Sequence, residues 1–95
     1  MINFEKLIGL QVITSGAHIL GEVKGAKIDP KTWEIKYLNV KLSKDAADSL
    51  GMKKRFRSSA ICIPVSMIQA VGHVVTIARS MDELENSQDI AECKD

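Results

Sequence analysis

The segment Asp29-Pro30-Lys31-Thr32 constrains this chain more than any other stretch of it. Asp hydrogen-bonds the backbone two residues on and Pro presets φ at the second position of a turn, so the chain reverses here. Both flanks read as strands. On one side, Ile19, Gly21, Val23 and Gly25 share one parity while Ile28 sits on the other. An apolar face cannot change parity without an inserted residue, so a bulge or sharp bend is expected near Gly25-Ala26. On the other side, Glu34 to Leu42 alternates, with Ile35, Tyr37 and Asn39 facing one way and Leu38, Val40 and Leu42 the other. Residues 19 to 42 therefore predict a long, bent β-hairpin around a turn at 29 to 33, and bends of this kind let a short sheet curl.

The rest of the chain supplies short pieces that fit such a sheet. Leu10 to Thr14 is a weak strand closed by Ser15-Gly16. Ser43 to Leu50 reads as a surface helix of about two turns, capped by Ser43 and closed by Gly51. Ser59 to Ile63 is a strand that Pro64 breaks, Val65 to Gln69 forms a helical turn or corner, and His73 to Ala78 is the last strand. Ser80-Met81-Asp82-Glu83 matches a capping box and starts a short helix before an acidic, flexible tail. The expected fold is all-β: a small barrel of five to six short, mostly antiparallel strands with one or two short helices. The expected division is a domain over residues 1–80 and a helix start with tail over 81–95.

Composition excludes several classes. With 95 residues, 45% hydrophobic and 26% charged, the chain has room for one core and is not disordered. Its longest apolar runs, such as Ala60 to Val65, are far shorter than the roughly 20 residues of a membrane span, and no secretory leader is seen, so a cytoplasmic location is expected. Cys62 and Cys93 are too few and too scattered for a disulfide framework or a zinc site. Cys62, between Ile61 and Ile63, reads as a small core or half-buried residue. His18 and His73 have no Cys, Asp or Glu at ligand spacing, the serines form no nucleophile elbow, and the glycines are not gathered into a phosphate loop. No enzyme activity, cofactor or metal is expected.

Two features stand out as candidate contact sites. Trp33, the only tryptophan, falls at the hairpin tip, where a left-handed Gly would be natural. Holding a bulky residue at positive φ costs roughly 1 kcal/mol or more, so either the turn differs or contacts compensate. Trp33 then either anchors a partner, as large exposed aromatics do, or folds back against Tyr37 or the open barrel end. The second feature is the loop Lys53, Lys54, Arg55, Phe56 and Arg57. Four cations around an aromatic suit phosphates and a stacked base, or an acidic protein partner, or simply a solvated loop with Phe56 in the barrel mouth. Residues 1–81 hold 12 Lys/Arg against 6 Asp/Glu, whereas the last 14 residues are acidic, so the tail either solubilises the chain or shields the basic face. Val40, Leu42, Val74 and Ile77 exceed what one small barrel needs to bury and are assigned to the interface of a two-fold homodimer.

The order of motifs also carries a resemblance. Ile8-Gly9, Val12 and Gly16 lead to Leu20-Gly21-Glu22-Val23 and Ile28-Asp29-Pro30-Lys31-Thr32. Then come Leu38-Asn39-Val40, Ile63-Pro64-Val65-Ser66-Met67-Ile68 and Val71-Gly72-His73-Val74-Val75. Over residues 5 to 79 this succession resembles the PRC-barrel family. The resemblance implies a compact β-barrel used as a non-enzymatic binding module. The Leu50-Gly51-Met52 segment is similar to short archaeal members, among them cell-division proteins of the B type. Those link a membrane-tethered division-ring anchor to other division components. The expected function is thus an adaptor of the archaeal division machinery, cytoplasmic and recruited to the division site. The alternative is an RNA- or ribosome-associated factor, because the family also supplies the C-terminal domain of a bacterial ribosome-maturation protein. The chain departs from the family pattern at Gly25, where members often carry an acid, and at Trp33, where the turn usually carries Gly.

Overall fold

The computed structural model describes residues 3–49, 60–86 and 91–92. The long hairpin is its backbone: β2 (Ile19–Asp29) and β3 (Glu34–Leu42) pair antiparallel from Gly21↔Leu42 to Asp29↔Glu34. The other elements are α1 (Phe4–Leu7), β1 (Gln11–Ile13), α2 (Lys44–Ser49), β4 (Ala60–Pro64), a 3₁₀ turn at Val65–Met67, β5 (Ile68–Val71), β6 (Val75–Ile77), α3 (Met81–Asn86) and β7 (Ala91–Glu92). Among the described residues the strands form one sheet in the order β5-β6-β1-β2-β3-β4-β7. All neighbours are antiparallel except β1 and β6. The architecture is the small, mostly antiparallel barrel-like β fold expected from the strand pattern, with β5 and β7 as additions to it. β5 follows the 3₁₀ turn at once, where the sequence suggests only a corner, and β7 is two residues long.

Curvature comes from bulges in the two central strands. Val23 faces Val40 and Gly25 faces Asn39, so Lys24 is the extra residue on β2, one position before the expected bend. Further along, Lys27 pairs with Tyr37 but Ile28 with Ile35, which makes Lys36 an extra residue on β3. A third irregularity lies where Val12 pairs with Gly21 and Ile13 with Ile19. It turns Leu20 fully inward and leaves Ile19 half exposed, against the parity expected for Ile19. Each inserted residue bends its strand and increases the local twist. Gly21 marks the tightest crossing: a Cβ there would collide with the Lys41 carbonyl oxygen of β3, so no other residue fits.

Curling brings the inner faces of β1, β2, β3, β4 and β6 onto one core built on Val12, Leu20, Val23, Val40, Ile61 and Val75, all but inaccessible to solvent. Two capped helices close it. The Ser43 hydroxyl accepts the Ala46 N–H at 3.1 Å and Ala46 packs inward. At α3 the capping box forms as its sequence suggests: Ser80 N–H donates to Glu83 Oε1 at 3.1 Å and Glu83 N–H to Ser80 Oγ at 3.2 Å. Leu84 of α3 is buried in the core, so the folded unit runs past the boundary expected at residue 80.

The same curling corrects the assigned dimer face. Val40, Leu42 and Ile77 are core residues and cannot meet a second copy; Val74 alone of the four is half-buried rather than buried. A flat sheet would have left these side chains uncovered, whereas the bulged sheet covers them itself. Cys62 lies half-buried between buried Ile61 and Ile63, opposite Asn39, as its neighbours suggest, and is disulfide-bonded, although two scattered cysteines make no disulfide framework. Cys93 lies outside the described residues.

Candidate protein-interaction surface

The hairpin tip is built by Asp29. Its carbonyl accepts the Trp33 N–H at 2.7 Å and its side-chain Oδ1 accepts the Lys31 N–H at 2.8 Å. Four residues, Pro30 to Trp33, separate the paired Asp29 and Glu34. The turn is closed by Trp33 itself at φ 62°, in the left-handed region. The turn type therefore does not change to suit the tryptophan. The residue adopts the conformation that a glycine would favour, at a cost of roughly 1–2 kcal/mol.

Contacts within the chain do not compensate. Trp33 is 79% exposed, the most exposed large apolar residue among those described, and it does not fold back against Tyr37 or the barrel end. Of the two readings open from sequence, a solvent-facing tip is the one observed. An apolar strip leads to it from the core: Ile35 packs partly against the core, its cross-strand partner Ile28 is 50% exposed, and Trp33 lies beyond them. Ile28 is missed by sequence reasoning because its face is set by the two bulges that precede it in the β2–β3 ladder. The only available signal was its change of parity within β2.

Charge at the tip is mixed. The Lys36 ammonium donates to Glu34 Oε2 at 3.1 Å. That hydrogen bond, then the Glu34 charge, and more weakly Asp29, hold the Lys36 pKa above the ordinary lysine value. Lys31 stands at the apex between Pro30 and Thr32. The arrangement is a turn closed by hydrogen bonds to Asp29 that leaves the Trp33 side chain in solvent. The basic loop residues Lys53, Lys54, Arg55, Phe56 and Arg57 lie outside the described residues, so the structure does not place them relative to Trp33. Among the described residues no three of His, Cys, Asp and Glu gather as a metal site, and no helix is long and apolar enough to cross a membrane.

Comparison with known proteins agrees with this architecture. The PRC-barrel domain family matches the chain over residues 1–84. The chain belongs to the PRC-barrel family. No curated protein matches it. Among solved structures, it is similar to a 16S ribosomal RNA processing protein, RimM, from Pseudomonas aeruginosa. The TM-score is 0.57 at 14% identity, covering 85% of this chain and 45% of that one. At that identity the likeness is one of fold, and this PRC-barrel chain spans less than half of the other protein.

Proposed function

We propose that this PRC-barrel is a non-enzymatic binding module that docks a protein partner on its hairpin tip. The observation that carries this reading is Trp33, held at φ 62° with 79% of its surface in solvent. A strained conformation that no internal contact offsets is typical of a position kept for binding, and large aromatics dominate binding hot spots. The partner that suits it has an apolar pocket with acidic groups near it, to meet the indole and the Lys31 ammonium. The specific role suggested by the resemblance to short archaeal members is a division-machinery adaptor that links a division-ring anchor to other division proteins.

The second reading is a ribosome-associated factor. It is favoured by the fold shared with a ribosomal RNA processing protein and by the Lys53 to Arg57 segment. One experiment separates them: affinity capture from the native host at low and high salt, with wild type and Trp33→Ala compared. An adaptor docking on the tip retains division proteins at high salt and loses them in the variant, which weakens binding by roughly 1–3 kcal/mol. Recovery of ribosomal components that wash off steeply with salt and ignore Trp33 would replace the first reading with the second. Equal capture by wild type and a folded Trp33→Ala of any partner would remove the tip from the site.

A further inference from the structure

The end of the β2–β3 ribbon remote from Trp33 carries a cavity of about 530 Å³, within the usual range of ligand pockets, roughly 300–1,000 Å³. Its apolar lining is Ala17, Ile19, Ala46 and Met81, and its polar lining is His18, Ser43 and Asp45. Ile19 is 50% exposed there, an aliphatic side chain left in water by the β1–β2 irregularity. The Ser43 hydroxyl in this wall is already engaged, capping α2 and donating to the Ile19 carbonyl at 3.4 Å. The surroundings are acidic: the two helices that frame the cavity, with their flanking residues 43–49 and 79–86, hold five carboxylates against one lysine and one arginine. The tip, residues 27–36, has the opposite balance, three lysines against two carboxylates.

We infer that this cavity receives the Trp33 tip of a second copy of the chain, joining copies head to tail. The inference rests on the reading of the tip as a docking element and names one partner for it. The indole would fill the apolar space against Ile19 and Met81. Asp45 would accept from the indole N–H, which supplies the hydrogen bond a buried tryptophan needs, and the Lys31 ammonium would face the acidic surroundings. Both halves are fixed in advance, so little ordering entropy is lost. The tip is tied by two hydrogen bonds to Asp29, and the cavity lip, Ala17 at φ 64°, is tied to buried Thr14.

A chain cannot satisfy itself in this way. β2 runs from Ile19, at the cavity, to Asp29, at the tip, ten steps that would span roughly 33 Å if straight and less with its bulges, against a longest molecular extent of 34 Å. Tip and cavity thus lie at opposite ends of the ribbon. Contacts between different patches of identical chains propagate rather than close, unless the rotation returns to its start. The contact is small, so assembly is weak and depends on concentration.

The test is light scattering over a range of protein concentrations with wild type, Trp33→Ala and Ile19→Arg. The arginine places bulk and positive charge in the cavity from an exposed position, leaving the core intact. Wild type should grow past two copies as concentration rises, and less so at high salt. Each variant alone should keep the mass of one chain, 10.4 kDa. Their equimolar mixture should double that mass and stop, because Ile19→Arg contributes a sound tip and Trp33→Ala a sound cavity. Recovery in the mixture also shows that both variants fold. Wild type at one-chain mass throughout, a plateau at two copies, or a mixture no heavier than its components would overturn the inference. If self-association is absent while Trp33→Ala still loses a captured partner, the tip reading stands without the second copy.

Discussion

Two reverse turns in this molecule place a non-glycine residue at nearly the same left-handed φ, Ala17 at 64° and Trp33 at 62°. They differ in what surrounds that residue. Around Ala17, buried Thr14 organises the loop. Its N–H donates to the His18 carbonyl at 2.9 Å, its carbonyl accepts the Ala17 N–H at 2.9 Å, and its hydroxyl accepts the His18 N–H at 3.1 Å. Ser15 N–H adds a bond to the Arg79 carbonyl at 2.9 Å, which ties the turn to the start of α3. Around Trp33 the closing bonds come from Asp29 and Thr32, in an exposed loop. The first turn is over-determined by the core and carries the smallest side chain. The second is determined only by itself and carries the largest. A strained φ therefore means little until its setting is known: at Ala17 it serves the fold, and at Trp33 it presents a side chain to solvent.

That contrast can be broken at four places. The largest effect is expected from Gly21→Ala, near the Ala17 end of the strands that hold the two turns apart. Its Cβ meets backbone rather than a flexible side chain, so β2 and β3 must separate locally. Denaturant titration should show a loss of more than about 3 kcal/mol, or no folded protein. A neutral outcome would mean that the crossing at Lys41 is not tight. Next is the hydroxyl at each turn. Thr14→Val removes the acceptor of the part-buried His18 N–H and should cost about 1 kcal/mol, whereas Thr32→Val at the exposed tip should stay within about 0.5 kcal/mol. Similar losses at both would erase the distinction drawn here.

The sharpest comparison pairs Ala17→Gly with Trp33→Gly. Each relieves a positive φ, offset by the extra freedom of glycine in the unfolded chain, for a net gain of at most about 1 kcal/mol. Unfolding should show the same sign for both, while only Trp33→Gly loses its captured partner. A loss of partner in both would show that binding involves the Ala17 turn as well as the indole. The smallest effect is expected from Lys36→Met, which removes the exposed pair with Glu34. Because the folded-state pKa of Lys36 is raised, any contribution is present below the ordinary lysine value and disappears as pH rises through the raised one. Solvent screens this pair, so the melting temperature of the variant should match wild type at neutral pH, and any difference at neutral pH should vanish in alkali.

Much of the framework was readable without coordinates. The hairpin from 19 to 42, its reversal at Asp29-Pro30, and the caps at Ser43 and Ser80 all rest on interactions between residues a few positions apart. Such interactions depend on side-chain chemistry that travels with the sequence. The expected bend missed its position by one residue for a related reason. Parity shows that an extra residue exists between Val23 and Ile28, but which one is squeezed out depends on the partner strand. Trp33 was likewise recognisable as a misfit at its turn, although not which way its side chain would go.

Burial was not readable, because it belongs to the curled sheet and not to any strand. The alternation that made Val40 and Leu42 look like surplus apolar surface is the same whether the sheet lies flat or rolls up; the bulges make it roll, and the inward residues become core. The short strand Ile68–Val71 has no alternation long enough to detect, and it exists because β6 is there to pair with it. The cavity at Ala17, Ile19 and Met81 joins segments more than 60 residues apart, a distance that only the closed chain bridges. Local hydrogen bonding thus determined where this chain turns and caps, whereas long-range packing decided which of its apolar side chains are covered and which are left to meet something else.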